Sequence, residues 1–445
     1  MKPASLDPTR AETVFEDGKP AYTLQQAKVE SNRCLYCYDA PCIKACPTEI
    51  NIPEFIRKIG TGNVEGAART IFESNVLGMS CARVCPVEVL CVGDCVYNAM
   101  QVPPIQIGRL QRFATDTAFE KGWQFFEAGK DTGKSVGLVG AGPASLAAAH
   151  RLRRFGHKVT IYERGNTLGG LNTTGVAPYK LRADDSLSEV EWLMKIGGIH
   201  VESNVEIPSK ISWAELEKKH DALFLGFGLG PDSQLAIPGK DLKGVQGAVD
   251  FIAEMKAKPL ALQGVKNAIV VGGGNTAIDV VRELLGLKAA RVGALESVTM
   301  VYRGTEEGMS GYAHEWDHAK EEGASVSWQS QPVAFEGSGT VSALKCVKLD
   351  AAKKPIAGSE FSIPAQLVLL AVGQAKLGDL VAGLDGVKVD KGVLVADENG
   401  ATGRAGVWAG GDCRNGGKEV VNAVAEGRDA AIAIDAFLKT GGRRG

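Results

Sequence analysis

Residues Ser135 to Arg164 read "SVGLVGAGPASLAAAHRLRRFGHKVTIYER", and the order of features within them settles the fold. An apolar run, Val136 to Val139, leads into Gly140 and Gly142 with Ser145 three places on; an alanine-rich helical stretch follows, and a second apolar run ends at Glu163. These are the places of a G-x-G-x-x-G/A dinucleotide fingerprint. The first glycine makes a tight turn, the second lets a pyrophosphate reach the backbone, and the third place needs a small residue so that helix and strand pack closely. Serine is small enough, and Glu163 falls where a carboxylate takes ribose hydroxyls. A glycine pair alone is weak evidence. Strand, glycines, helix and acid in sequence predict a βαβ unit with a dinucleotide at its helix N-terminus.

The pattern recurs in "NAIVVGGGNTAIDVVRELLG" (267–286), where Gly272, Gly274 and Ala277 take the same places and Asn275 is a further cofactor-binding candidate. Two fingerprints imply two dinucleotides. Near the C-terminus, "GVWAGGDCRNGGKEVVNAVAEGR" (406–428) carries a strand ending at Asp412 and a glycine-rich approach to a helix. This order resembles the two-dinucleotide flavoproteins. There the matching aspartate holds the ribityl chain of FAD and the helix points its positive end at the flavin pyrimidine ring. The resemblance implies that FAD uses the first fingerprint, with Gly170 and Ala423 among its binding residues. The nicotinamide domain is then an insertion, entered after Ala222 to Gly228 and left near Val368 to Gln374. The expected fold is α/β, with an FAD domain over 131–241 and 367–445 and an NAD(P)H domain over 242–366.

Ahead of these domains lies a different texture. Eight of the ten cysteines (34, 37, 42, 46, 81, 85, 91, 95) fall in the first 95 residues, and only Cys346 and Cys413 follow. The segments "AYTLQQAKVESNR" (21–33) and "IPEFIRKIGTGNVEGAARTIFES" (52–74) carry apolar positions at helical spacing, with Pro53 suited to a first turn. Residues 1–130 are therefore expected to be short helices around whatever the cysteines hold. "CLYCYDAPCIKACP" (34–47) is C-x2-C-x4-C-x3-C-P and "CARVCPVEVLCVGDC" (81–95) is C-x3-C-P-x4-C-x3-C. A bacterial ferredoxin run is C-x2-C-x2-C-x3-C-P, whose last cysteine serves the other cluster. Zinc sites pair two C-x2-C units, and only one is present; disulfides suit an oxidising compartment. The spacing favours two 4Fe-4S clusters, with a zinc-stabilised interaction module as the rival reading. If each run donates its outer cysteine across, Cys34, Cys37, Cys42 and Cys95 form one cage and Cys46, Cys85 and Cys91 begin the other. Counting alone nominates Cys81 as its fourth ligand.

Bulk features agree with a multidomain redox protein. The 445 residues carry 50 basic and 52 acidic side chains, a net charge of -2 that offers no basic field for nucleic acid. The start, "MKPASLDPTRAETVFEDG", has prolines and acids in place of an apolar signal region. No later apolar run approaches the roughly 20 residues of a membrane span. The expected location is the cytoplasm, with no membrane contact.

Cluster segment, FAD domain and inserted nicotinamide domain together resemble the electron-input module shared by dihydropyrimidine dehydrogenase and the small subunit of glutamate synthase. "DAPCIKACP" and "NVLGMSCARVCPVEVLCVGDC" resemble the first of these more closely, in particular the flavin and iron-sulfur subunits of bacterial NAD-dependent dihydropyrimidine dehydrogenase. In that family a glutamine completes one cluster, and "IQIGRLQRF" (105–113) places Gln111 there; the resemblance thus turns Cys81 into a non-ligand. It also implies FAD, NAD(H) and two 4Fe-4S clusters as cofactors, and a separate FMN and ferredoxin-type pyrimidine-reducing (PreA-like) subunit as partner in a hetero-oligomer. The chain has no length left for an FMN barrel of its own. No catalytic side chain is assigned.

The coenzyme turns on "VTMVYRGTEEGMS" (298–310). Arg303 stands there where Glu163 stands in the first copy, and an arginine at that place accommodates a 2′-phosphate. NADP-using relatives add basic residues at the positions of Gly304 and Ser310, which here are uncharged, while Glu306 and Glu307 would repel phosphate. The expectation is NAD, with Arg303 stacked on or paired with those acids. His314 and His318 read as a polar helix face, Cys413 as a small packing residue, and the lone Cys346 disfavours thioredoxin-reductase chemistry, which needs C-x-x-C.

Overall fold

The computed structural model describes residues 6–441, so the first five residues of the N-terminal stretch read above lie outside the described residues. The cysteine-rich part is helical, as its periodicity predicts. Its main helices are Leu24–Ser31, Ile52–Gly60, Val64–Ser74, Gly78–Val84 and Ile107–Lys121. Thr23 starts the first with a capping box: its side chain accepts from the Gln26 amide, and Gln26 Oε1 accepts from the Thr23 amide at 2.9 Å. Asn51 and Asn63 cap the next two, and Pro53 sits in a first turn. Phe55, Ile56, Ile59, Ile71 and Phe72 are buried against Leu110 and Ala114 of the last helix. Each such side chain contributes about 1.5–3 kcal/mol on burial. Most of the cysteines lie in short connections beside this core, with Cys42 in the one-turn helix Pro41–Lys44 and Cys81 in the Gly78–Val84 helix.

Strands β1 (Ser135–Val139), β2 (Lys158–Glu163), β3 (Ile199–Ser203) and β4 (Ala222–Leu225) then begin a parallel sheet. The chain leaves it and builds a second parallel sheet from β5 (Val245–Gly247), β6 (Asn267–Val271), β7 (Ser297–Val301) and β8 (Ser325–Ser327). An antiparallel meander follows, β9 (Ser330–Ser338), β10 (Thr340–Leu349) and β11 (Pro355–Pro364), and β12 (Leu367–Leu370) returns to the second sheet between β5 and β6. A hairpin, β13 (Val389–Asp390) and β14 (Val393–Leu394), leads to β15 (Val407–Ala409), which pairs with β4 and completes the first sheet. The orders are β15-β4-β1-β2-β3 and β5-β12-β6-β7-β8. One Rossmann-like unit is thus inserted in another, as expected.

Two details of the expected partition change. Residues 367–370, counted with the FAD half, form β12, whose backbone pairs with β6 and β5 of the second sheet; its apolar run "LVLL" is the buried centre of that sheet. The early turn Ala11–Val14 also leaves the helical domain: Ala11 and Phe15 pack into the core of the inserted domain, and the Ala11 amide donates to the Lys258 carbonyl at 3.1 Å. The two crossing segments run side by side, with the Gly230 amide donating to Ala375 O at 2.7 Å and the Ala375 amide to Pro231 O at 2.8 Å. Phe72 and Phe119 of the helical domain pack on Trp192 of the FAD domain, with centroids 4.6 and 5.5 Å away. Among the described residues no helix is long and apolar enough to cross a membrane.

Candidate functional site

All three domains meet at a cavity of about 530 Å³. Gly140, Gly142, Glu163 and Gly170 line it from the first fingerprint, Asp412 and Ala423 from the C-terminal segment, and Asn275 from the inserted domain. Gly140 has φ +91°, and a Cβ there would stand 2.6 Å from Gly226 O, so the tight turn admits only glycine. Gly142 differs: a Cβ there would meet no protein atom within 4 Å and would project into open space. It is the N-cap of the Pro143–Arg154 helix, and no side chain caps that helix. The first-turn amides are left for an anion. The residues present therefore fit a dinucleotide pyrophosphate.

Glu163 lies at the rim, its two carboxylate oxygens accepting from the Ala141 amide at 2.9 Å and the Gly165 amide at 2.8 Å. Ser145 is fully buried beneath the turn, away from the cavity; its Oγ has no hydrogen-bond partner and would lie 2.3 Å from a Cβ on Gly226. Its place is close packing of helix on strand. On the opposite wall β15 stops at Ala409, and Asp412 opens a four-residue helix, Asp412–Asn415, rather than ending the strand. Burial raises the Asp412 pKa, opposed by the Lys418 amide that its Oδ1 accepts at 3.3 Å. Val420 and Ala423, in the first turn of the 20-residue helix Val420–Lys439, face the cavity, and that N-terminus also lacks a side-chain cap.

The second fingerprint repeats the construction. A Cβ on Gly272 would lie 2.3 Å from Ala371 O, Gly274 is the uncapped N-cap of helix Asn275–Ala289, and Ala277 is fully buried. Asn275 Oδ1 accepts from the Tyr312 amide at 2.9 Å. The register corrects one expectation. Val139 pairs with Tyr162 as Val271 pairs with Val301, so the counterpart of Glu163 is Tyr302 and Arg303 lies one place beyond. Tyr302 packs over the glycine turn and donates to Gly308 O at 2.9 Å. The expected pairing of Arg303 with the neighbouring acids is also absent among the described residues. Arg303 is exposed, and Glu306 is instead taken by Lys320 at 2.6 Å and the Trp316 indole at 3.1 Å.

The cysteines gather in two small voids. Cys34, Cys37, Cys42 and Cys95 line one of about 30 Å³; Cys46, Cys81, Cys85, Cys91 and Gln111 line another of about 20 Å³. All ten cysteines are free. In the first void burial and then the neighbouring thiols push the Cys42 pKa up to about 12. In the second a hydrogen bond donated by the Cys85 thiol to Cys81, and then burial, raise the Cys85 pKa. Crowded, desolvated thiols of this kind become thiolates when cations share the void, and four cysteines at the first void and four with Gln111 at the second are donors of the type iron-sulfur clusters take. Gln111 is buried, and its Nε2 donates to Gly78 O at 2.8 Å, which leaves the carbonyl oxygen for the void. Cys81 lines the same void, so both candidates for the last ligand are present.

Several cavity residues have no motif to announce them. Lys180, on the FAD side, bridges Asp279 at 2.8 Å and Glu315 at 2.9 Å on the inserted domain. Burial opposes its ammonium charge, but the two carboxylates outweigh burial and raise its pKa. Tyr312 donates to Glu419 Oε1 at 2.7 Å, closing the two Rossmann-like units over the cavity. His314 and His318 face Glu88 and Glu321 at 3.5 and 3.4 Å, in keeping with a polar helix face. Cys413 is buried and bonds the Leu225 and Gly410 carbonyls.

Fold and site define a flavin- and nicotinamide-dependent oxidoreductase with an iron-sulfur domain. The chain belongs to the pyridine nucleotide-disulphide oxidoreductase family, whose model matches residues 134–427, and residues 10–123 match dihydropyrimidine dehydrogenase domain II, 4Fe-4S cluster. Its cofactors are FAD, NAD(P)H and 4Fe-4S clusters. It is 34% identical to the NAD-dependent dihydropyrimidine dehydrogenase subunit PreT of Escherichia coli, over 94% of this chain and 96% of PreT. It is 33% identical to the glutamate synthase [NADPH] small chain of the same organism, over 93% of this chain and 92% of that one. Among solved structures, Mycobacterium tuberculosis FprA in complex with NADPH shares the fold with a TM-score of 0.57 at 20% identity, covering 70% of this chain and 87% of FprA.

Proposed function

We propose that the chain is the electron-input subunit of an NAD-dependent dihydropyrimidine dehydrogenase. It takes hydride from NADH onto FAD and passes single electrons through two 4Fe-4S clusters to an FMN and ferredoxin-type, PreA-like partner. That partner reduces uracil or thymine to the 5,6-dihydropyrimidine, or runs the reverse. The observation that carries this reading is a chain of shared walls. Val84 and Pro86, which flank Cys85 of the second void, line the large cavity, and Val421 of the second void neighbours Val420 of the cavity. Ile52 lines both voids. The first void has no lining residue beyond Ile107, and its four cysteines are all partly exposed. Electrons therefore have a contiguous route from the cavity inward to the second void and outward to the first.

In this reading FAD supplies the exchange between two-electron hydride chemistry and one-electron transfer. The chain's residues bind and orient. Gly140, Gly142 and the helix behind them take the flavin pyrophosphate, Glu163 the ribose, and Asp412 with the Val420 helix end the flavin side. Gly272, Gly274 and Asn275 take the nicotinamide dinucleotide. Lys180 with Asp279 and Glu315, and Tyr312 with Glu419, hold the inserted domain over the cavity and exclude water. Cys34, Cys37, Cys42 and Cys95 hold one cluster; Cys46, Cys85, Cys91 and Gln111 hold the other. NADH is taken as the donor because Gly304 and Ser310 are uncharged and, among the described residues, no second cation joins Arg303 there.

Mixing the purified chain with a PreA-type subunit and following NADH-dependent uracil reduction tests the assignment, with turnover expected only when both are present. The similarity to the glutamate synthase small chain, nearly equal in identity and coverage, supports a second reading as the input subunit of that enzyme. Turnover with a glutamate synthase large subunit and none with the PreA-type subunit would select it.

A further inference from the structure

Behind Cys46, which lines the second void, lies a hydroxyl that no part of the reaction has so far used. Thr48 follows Cys46 and Pro47, is fully buried, and places its Oγ1 3.3 Å from Cys46 Sγ. Among the described residues this is the one hydrogen bond between a hydroxyl side chain and a thiol of either void. A free thiol leaves the direction of that bond open. A thiolate does not: once Cys46 holds iron it has no proton to give, so the Thr48 hydroxyl must donate to it. The backbone fixes the geometry. The Glu49 amide closes the turn on the Cys46 carbonyl at 2.8 Å, and Arg428 donates from Nη1 to the Thr48 carbonyl at 2.7 Å and to Ser74 O at 3.2 Å. Arg428 lies on the Val420–Lys439 helix, whose N-terminus lines the large cavity. Arg428, whose Nε pairs with Asp429 Oδ1 at 2.8 Å, is thereby held against the loop that carries the ligand.

We infer that Thr48 is a positioning residue that, through Cys46 and with Arg428 behind it, raises the reduction potential of the cluster in the second void. A hydrogen bond to a ligating sulfur withdraws electron density from it and stabilises the reduced, more negative cluster, and a nearby cation acts in the same direction. Among the described residues no side-chain hydroxyl bonds to the four thiols of the outer void, so the device is selective for the cluster beside the flavin cavity. It would make that cluster the ready first acceptor. The inference rests on the reading of Cys46 as an iron ligand.

The test is a spectroscopically monitored redox titration of the purified, cluster-loaded full chain. Thr48→Val is expected to lower the midpoint potential of one cluster and leave the other unchanged. Thr48→Ser, which keeps the hydroxyl, should restore the wild-type value, and Arg428→Gln should give a smaller shift in the same direction. If the branched valine prevents cluster loading, Thr48→Ala against Thr48→Ser decides, the serine variant having the higher potential. Identical potentials in the hydroxyl-bearing and hydroxyl-free variants, or equal shifts of both clusters, would overturn the inference. Cys46→Ser separates the two levels: it should abolish one cluster, and retention of both would refute the ligand reading itself. None of these measurements depends on the partner or on uracil turnover.

Discussion

The Gln111 side chain, which lines the second void, donates from Nε2 to the carbonyl of Gly78 at 2.8 Å and keeps its own carbonyl oxygen free to accept. A backbone carbonyl can only accept, so this contact fixes the amide nitrogen as the end that meets Gly78. Cys81, one turn along the Gly78–Val84 helix from Gly78, competes for the same place. With Gln111 as ligand, Gln111→Ala should reduce iron and acid-labile sulfide from about two clusters per chain to about one, while Cys81→Ser leaves both. Loss of a cluster in the serine variant and not in the alanine variant would reverse the assignment.

The same helix is held from the other side by Glu189. This carboxylate is fully buried in the FAD domain and accepts from the Met79 amide at 2.8 Å, from the Ser80 amide at 3.1 Å, and from the Ser80 hydroxyl. Glu189→Ala strands those donors without water, a loss on the order of 3 kcal/mol. Burial pushes the Glu189 pKa up to about 7 in spite of its donors. The sign follows from linkage: with the folded pKa above the unfolded one, stability is fully present below the unfolded value near 4.5 and is lost as pH rises through about 7. The deficit of Glu189→Ala relative to wild type should therefore be smaller at pH 8 than at pH 5.5. Denaturant titrations of both proteins at the two pH values check it, and a deficit that grows with pH refutes it.

The glycine turns, helical periodicity and cysteine runs were legible because each is a local pattern: Gly140 and Gly142 act within a few residues of one strand and one helix. Long-range features left no such mark. Lys180 meets Asp279 and Glu315 across some hundred residues of chain, and Tyr312 meets Glu419 across a similar span. No spacing rule encodes those meetings. The alignment of Arg303 with Glu163 missed by one place because a parallel register is set by hydrogen bonding between strands, whereas the residues after a strand end carry no alternation to count. Phe15 follows Val14 in a short stretch with no helical or strand periodicity, and only its packing into the core of the inserted domain gives it a role.

Gly140 and Gly142 separate a folding role from a binding role. Gly140→Ala forces a Cβ to within 2.6 Å of the Gly226 carbonyl at a φ of +91°, and should destabilise the apoprotein by about 1–3 kcal/mol. Gly142→Val adds a side chain where no protein atom lies within 4 Å. Its apoprotein should melt close to wild type but purify with little flavin. Differential scanning fluorimetry and the flavin-to-protein absorbance ratio distinguish the two, and equal melting losses in both variants would deny the cradle its assigned occupant.

Arg303 decides how strictly the inserted domain selects its coenzyme. Its guanidinium is exposed and unpaired among the described residues, because Lys320 and Trp316 hold Glu306. It therefore remains available to a 2′-phosphate, and a charge-assisted contact of that kind is worth about 1.5–3 kcal/mol. Arg303→Ala should lower kcat/KM for NADPH by about 10- to 100-fold and leave NADH within about twofold, since NADH offers nothing for the guanidinium to grip. Conversely, Ser310→Arg adds a second cation at an exposed position beside Gly274, where the Ser310 Oγ lies 3.5 Å from the place of a Gly274 Cβ. It should raise NADPH use about tenfold. Stopped-flow flavin reduction by each coenzyme measures both effects, and a loss shared equally by NADH and NADPH in Arg303→Ala would show that the arginine serves the domain rather than the phosphate.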